Sequence, residues 1–186
     1  KGDLKEYEWE QLNSKIKKLA EAQIFIDDTP ALTVFELRAK CRRLKYEHNV
    51  SLIIVDYLQL MSGGGDSRGN REQEISNISR SLKSLAKELN VPVIALSQLS
   101  RAVETRGGSK KPILSDVRES GAIEQDADLV LFIYRPEYYK IPEDEQGRPT
   151  EGTAEIIVAK HRNGTLKDIR LRFIDKFAKF DELDPM

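Results

Sequence analysis

Apolar residues along this chain follow two rhythms. Trp9, Leu12, Ile16 and Leu19 recur at spacings of three and four, which places them on one face of an amphipathic helix. "TPALTVFELRAKCRRLKYEHN" predicts a second helix, with Thr33 and Glu36 spaced as a capping box and Val34, Leu37, Cys41 and Leu44 as its apolar stripe. Cys41 on that stripe is expected to be a buried structural thiol, and His48 at the helix end to pack or cap. A third helix carries Ile75, Ile78, Leu82, Leu85 and Leu89 along one side. The other rhythm is unbroken: apolar runs at 52–55, 92–96 and 129–134 have the pattern of strands buried in a parallel sheet. "IFID" at 24–27 is a further short strand candidate.

Strand and helix in alternation predict an α/β fold with a mainly parallel central sheet. "TAEIIVAKHRNGTLKDIRLRFI" adds two strands around Asn163–Gly164, a C-terminal antiparallel hairpin. "SGGGDSRGN" at 62–70 reads as a mobile surface loop, and 136–152 as an exposed acidic excursion whose "EDEQGRPTEG" stretch suggests no chemistry.

Composition narrows the picture only a little. A chain of 186 residues is one domain, long enough to bury its own core. The single cysteine excludes an internal disulfide, and the short apolar runs exclude a membrane-spanning helix, so a cytoplasmic protein is expected. Two histidines and one cysteine, widely spaced, offer no transition-metal site. The net charge of −1 attracts no polyanion, so any nucleic-acid contact needs a local basic patch. One exists: 101–118 sets Arg101, Arg106, Lys110, Lys111 and Arg118 against Glu104 and Asp116. It contains no aromatic residue, which disfavours base stacking. A start at Lys1 inside a polar helical segment suggests a piece of something longer.

Candidate chemistry sits where the apolar runs stop. Asp56 ends the first run and Gln98 follows the second. In an open parallel sheet, ligands bind beyond the carboxyl ends of the strands. An acid there suits Mg²⁺ held through water, and a neutral amide beside it suits sensing a phosphate. The plainer alternative is an acid that only ends a strand and bonds the next helix. A phosphate loop, G-x-x-x-x-G-K-[ST], has no match anywhere in the sequence, and the "SGGGDSRGN" loop lacks its Lys-Ser/Thr pair.

"LIIVDYLQLM", "NREQEISNISRSLKSLAKELNVPVIALSQLSR", "DVRESGAIEQDADLVLFIYRPEYY" and "AEIIVAKHRNG" together resemble the motor domain of DnaB-type replicative helicases, a branch of the RecA-like ATPases. The resemblance spans most of 51–173 and implies a three-layer RecA-like fold, with 1–186 as the C-terminal part of one motor domain and no second domain. It implies that Asp56 is the Walker B aspartate, that Gln98 is the γ-phosphate sensor, and that the phosphate loop and catalytic glutamate lie upstream. It further implies ATP and Mg²⁺ as cofactors and single-stranded DNA as a partner. A homo-hexameric ring is implied too, with primase and helicase loader engaged through other regions.

In "AKHRNG", Lys160 and Arg162 stand two apart and should share one face of a strand, with His161 on the other. Their chemistry alone leaves two readings open: a pair reaching into a neighbouring molecule, or an edge strand guarded by cations. The resemblance implies the first, a lysine and arginine finger acting in the adjacent subunit's site. Within "RESG", it implies that Arg118, Glu119 and Gly121 contact the single-strand phosphate backbone. For Glu119 the alternative of a loop acid capping a helix stays open. Two rivals remain at this stage: a RecA-like recombinase or other ring ATPase, and a non-catalytic assembly module.

Overall fold

A computed structural model of the chain describes residues 4–63, 71–117 and 121–183. The helices are α1 (Glu6–Ala20), α2 (Val34–His48), α3 (Arg71–Leu89), α4 (Ala102–Thr105) and α5 (Gly121–Asp126). The strands are β1 (Ile53–Val55), β2 (Val93–Ala95), β3 (Leu129–Tyr134), β4 (Thr153–His161), β5 (Lys167–Ile174) and β6 (Lys179–Asp181).

The chain forms the expected RecA-like α/β fold, but its strands divide unevenly. β1 and β2 are the parallel pair, in register Ile53 to Val93 and Val55 to Ala95. β3 does not extend that pair. It joins β4, β5 and β6 in an antiparallel sheet, so the C-terminal hairpin grows into four strands. No crossover α-helix lies between β3 and β4, so their connection permits antiparallel pairing.

The core is built around α3. Ile75 and Ile78 are completely buried, and with Leu58, Met61 and Leu82 they form one cluster against Val34, Leu37, Val55 and Val93. A second cluster joins Cys41, Ile53, Leu85 and Val91, so Cys41 is the buried thiol expected of it, its pKa pushed up by burial. The capping box of α2 also forms, with Glu36 N–H donating to Thr33 Oγ1 at 3.2 Å and Thr33 N–H to Glu36 Oε2 at 2.9 Å. The second sheet has its own cluster of Val117, Phe132, Tyr134 and Ile157. Ile123 of α5 packs against both this cluster and the α3 cluster, and so joins the two halves.

Four expectations change. The apolar strands are covered on one face only: Ile54 is 61% exposed and Ile133 61%, because alternate strand residues point away from the cluster that covers each sheet. α1 forms, but nothing in it is buried, and its stripe of Trp9, Leu12, Ile16 and Leu19 faces outward. "IFID" at 24–27 is extended but unpaired, held by Phe25 stacking on His48 (4.5 Å between ring centroids) and by Asp27 bonding Lys40. The connection between β4 and β5 is also not a two-residue turn, since neither Asn163 nor Gly164 takes a positive φ. A Cβ on Gly164 would meet the ring of the exposed His161, which would have to swing aside. The acidic excursion closes on itself, with Asp144 accepting hydrogen bonds from Gln146 N–H and Arg148 N–H, both at 2.9 Å.

Truncation at the centre of the α3 cluster should be costly. Ile75→Ala is expected to destabilise the chain by about 2–5 kcal/mol in denaturant unfolding, and Trp9→Ala by less than about 0.5 kcal/mol. Equal losses would show that α1 is part of the core.

Candidate functional site

β1 and β2 run in parallel, so their carboxyl ends share one edge. Leu96 N–H donates to the Val55 carbonyl at 2.9 Å, and Leu58 N–H to the Leu96 carbonyl at 2.9 Å. Asp56 and Gln98 therefore both leave the sheet at that edge, as their spacing predicted. The Asp56 carboxylate is exposed and takes no hydrogen bond or ion pair from any described residue. It does not bond the next helix. The Gln98 side-chain amide is likewise exposed and unpartnered among the described residues. An unpaired acid beside an unpaired amide is a donor and acceptor set directed outward.

Gln59 was not singled out from the sequence, yet it ties these two strand ends together. Its Oε1 accepts Gln98 N–H at 3.3 Å and its Nε2 donates to Ser97 Oγ at 3.0 Å. Arg71 donates to its carbonyl at 2.7 Å. The only sequence signal was its place, three residues after Asp56 in "DYLQL".

A second link leaves Gln98 in the opposite direction. Leu99 makes an antiparallel bridge with Val117, and Ser100 N–H donates to the Asp116 carbonyl at 2.8 Å. The residue after Gln98 is thus paired with the residue just before 118. Arg118 and Glu119 themselves lie outside the described residues. Gly121 opens α5, is exposed, and among the described residues has no atom within 4 Å of where a Cβ would stand.

The basic stretch is less available than its composition suggested. Arg106 pairs with the buried Asp116, and Lys110 donates to the Glu104 carbonyl at 2.9 Å. Lys111 lies 2.7 Å from Asp168 and 3.0 Å from Glu155. Partial burial works against its charge, but those two carboxylates outweigh it and push its pKa up. Among the described cations of the stretch, Arg101 alone keeps an exposed side chain without a partner.

Lys160 and Arg162 do share a face. Each donates to the Gln125 carbonyl at 3.3 Å, and Lys160 also bonds the Glu124 carbonyl. These are last-turn carbonyls of α5, which lack intrahelical partners and favour cations. Instead of projecting freely, the pair caps a helix of its own chain. Arg162 Nε further lies 3.2 Å from Asp128 Oδ1, and Lys83 bonds the same carboxylate through Oδ2. The Lys83 ammonium, with Arg162 and Lys87 around it, holds the Asp128 carboxyl below the usual carboxylate range. No described contact joins Lys160 or Arg162 to Asp56 or Gln98. The two pairs lie on different sheets.

No group of three or more His, Cys, Asp or Glu residues among those described could hold a metal by itself. No described helix is long and apolar enough to cross a membrane.

The chain is 51% identical over 183 residues to the replicative DNA helicase DnaC of Bacillus subtilis (strain 168) and 52% identical to the replicative DNA helicase DnaB of Geobacillus stearothermophilus. Both matches cover 98% of this chain and 39% of the relative, so the chain spans about two-fifths of the length of these curated relatives. Among solved structures it superposes with a TM-score of 0.86 and 38% identity on a DnaB-like replicative helicase studied with primase, covering 42% of that chain. It matches a second solved structure, an ATPase domain, with the same score and identity, covering 62% of it. The family model for the DnaB-like helicase C terminal domain matches residues 1–182, and the chain belongs to that family.

Proposed function

We propose that this chain is the C-terminal part of the motor domain of an ATP-dependent replicative DNA helicase. The parent works as a homo-hexameric ring that draws single-stranded DNA through its centre and unwinds the duplex at a fork. The observation that carries this reading is the separation of two complementary half-sites. Asp56 and Gln98 are unpartnered on one sheet edge, while Lys160 and Arg162 lie on another sheet. A nucleotide between subunits needs such a split, with an acid and sensor on one copy and cations on the next.

Asp56 fits one water-mediated contact to Mg²⁺, since it is a single free carboxylate and a lone acid cannot build a cage. Mg²⁺ arriving with ATP supplies neutralisation of the phosphate charge. Gln98 points its amide at the terminal phosphate without adding charge to the site. Because Gln98 is followed by the Leu99–Val117 bridge, a shift of Gln98 moves the chain at 118. Arg118, Glu119 and Gly121 contact the DNA backbone there, and the open space beside Gly121 lets a phosphate approach the main chain. Lys160 and Arg162 meet phosphate oxygens of the neighbouring copy's ATP with the N–H groups that the α5 carbonyls leave unused. Primase and helicase loader are engaged by parts of the parent outside this chain. Cytoplasmic location at replication forks follows from the same reading.

The chain contains no G-x-x-x-x-G-K-[ST], so by itself it is expected to release no phosphate from ATP. Turnover by the purified chain that Asp56→Asn abolishes would contradict this. In the full-length protein, Arg162→Ala should lower ATP hydrolysis by about 10³-fold or more. Mixed into wild type, it should depress forked-duplex unwinding faster than its own fraction rises. ATP hydrolysis without unwinding by the wild type would instead favour a recombinase-like ring ATPase.

A further inference from the structure

Arg162 is held from behind at three points. Its backbone N–H donates to the Asp128 carbonyl at 2.8 Å, its Nε faces Asp128 Oδ1 at 3.2 Å, and its Nη2 reaches the Gln125 carbonyl at 3.3 Å. Two of these three contacts come from one residue. Nη1 has no partner among the described residues, and the side chain is 52% exposed. A guanidinium is a rigid planar fork, so fixing its Nε edge fixes the direction of its outer nitrogens.

The Asp128 carboxylate is 56% exposed, and exposed ion pairs contribute little to stability. Its contacts therefore matter for orientation more than for folding. It also carries a second cation, Lys83 of α3, and Lys160 stands beside Arg162 on the Gln125 carbonyl. Two cations on one carboxylate leave the cluster positive, so Asp128 can aim Arg162 without cancelling its charge. Through Lys83 the carboxylate is anchored to α3, whose stripe is the most deeply buried in the chain.

We propose that Asp128 is a positioning residue for Arg162: it clamps the inner edge of the guanidinium and presents the outer edge to the phosphates of the adjacent subunit's nucleotide. This rests on the reading of Arg162 as a finger acting in trans.

The test uses the full-length protein with DNA present and compares wild type, Asp128→Asn, Asp128→Glu, Arg162→Ala and the double variant Asp128→Asn/Arg162→Ala. Asp128→Asn should lower kcat for ATP on the order of 10- to 100-fold, the scale of a misplaced group, with KM changed less than about threefold. Asp128→Glu should recover part of that loss, and the double variant should be no slower than Arg162→Ala alone. A kcat for Asp128→Asn within about twofold of wild type would overturn the proposal, as would a double variant slower by the product of both losses. Loss of the ring by sizing in Asp128→Asn would also overturn it, by assigning the residue to assembly. If Arg162→Ala keeps the wild-type kcat, the finger reading itself has failed, which this arm shows separately.

Discussion

Burial of one face of α3 is the constraint on which the rest of the structure depends. Ile75, Ile78, Leu82 and Leu85 pack onto β1 and β2 and, through Ile123, onto α5 and the second sheet. That packing fixes the parallel register of Ile53 with Val93, and the register puts Asp56 and Gln98 on one edge. The same helix supplies Lys83 to the Asp128 carboxylate, beside Arg162. Both residue pairs are thus referred to a single element, although they lie on different sheets.

α5 is the joint between them. It begins at Gly121, beside the segment assigned here to DNA, and ends on carbonyls capped by Lys160 and Arg162. At 1.5 Å per residue it is short, so its two ends move together. A neighbour's phosphates on those cations would draw on the same charges that cap the helix end. In this account, DNA at one end of α5 and nucleotide beyond the other are linked through a few hydrogen bonds.

Much of this was legible in the sequence where the pattern is dense. The helical spacing of α2 and α3, the capping box at Thr33, the buried Cys41 and the strand ends at Asp56 and Gln98 all follow from local chemistry. What the sequence hid was pairing at long range. Nothing in "LVLFIY" says that β3 joins β4 rather than β1, because an apolar run fits either sheet. Lys111 looked free because its partners, Glu155 and Asp168, are distant in sequence. Gln59 and Asp128 escaped for the same reason: their roles lie in what they touch, and neither residue type signals it.

The central claim is that one nucleotide site is built from two copies of the protein. The most direct measurement mixes two full-length variants that are each inactive, Asp56→Asn and Arg162→Ala, and follows ATP hydrolysis. Random mixing in equal amounts leaves about a quarter of the interfaces with both an intact acid and an intact finger. The account predicts that activity reappears in the mixture and grows with time allowed for subunit exchange. A mixture as inactive as its components, under conditions where exchange is shown to occur, would place both groups in one subunit's site and contradict it.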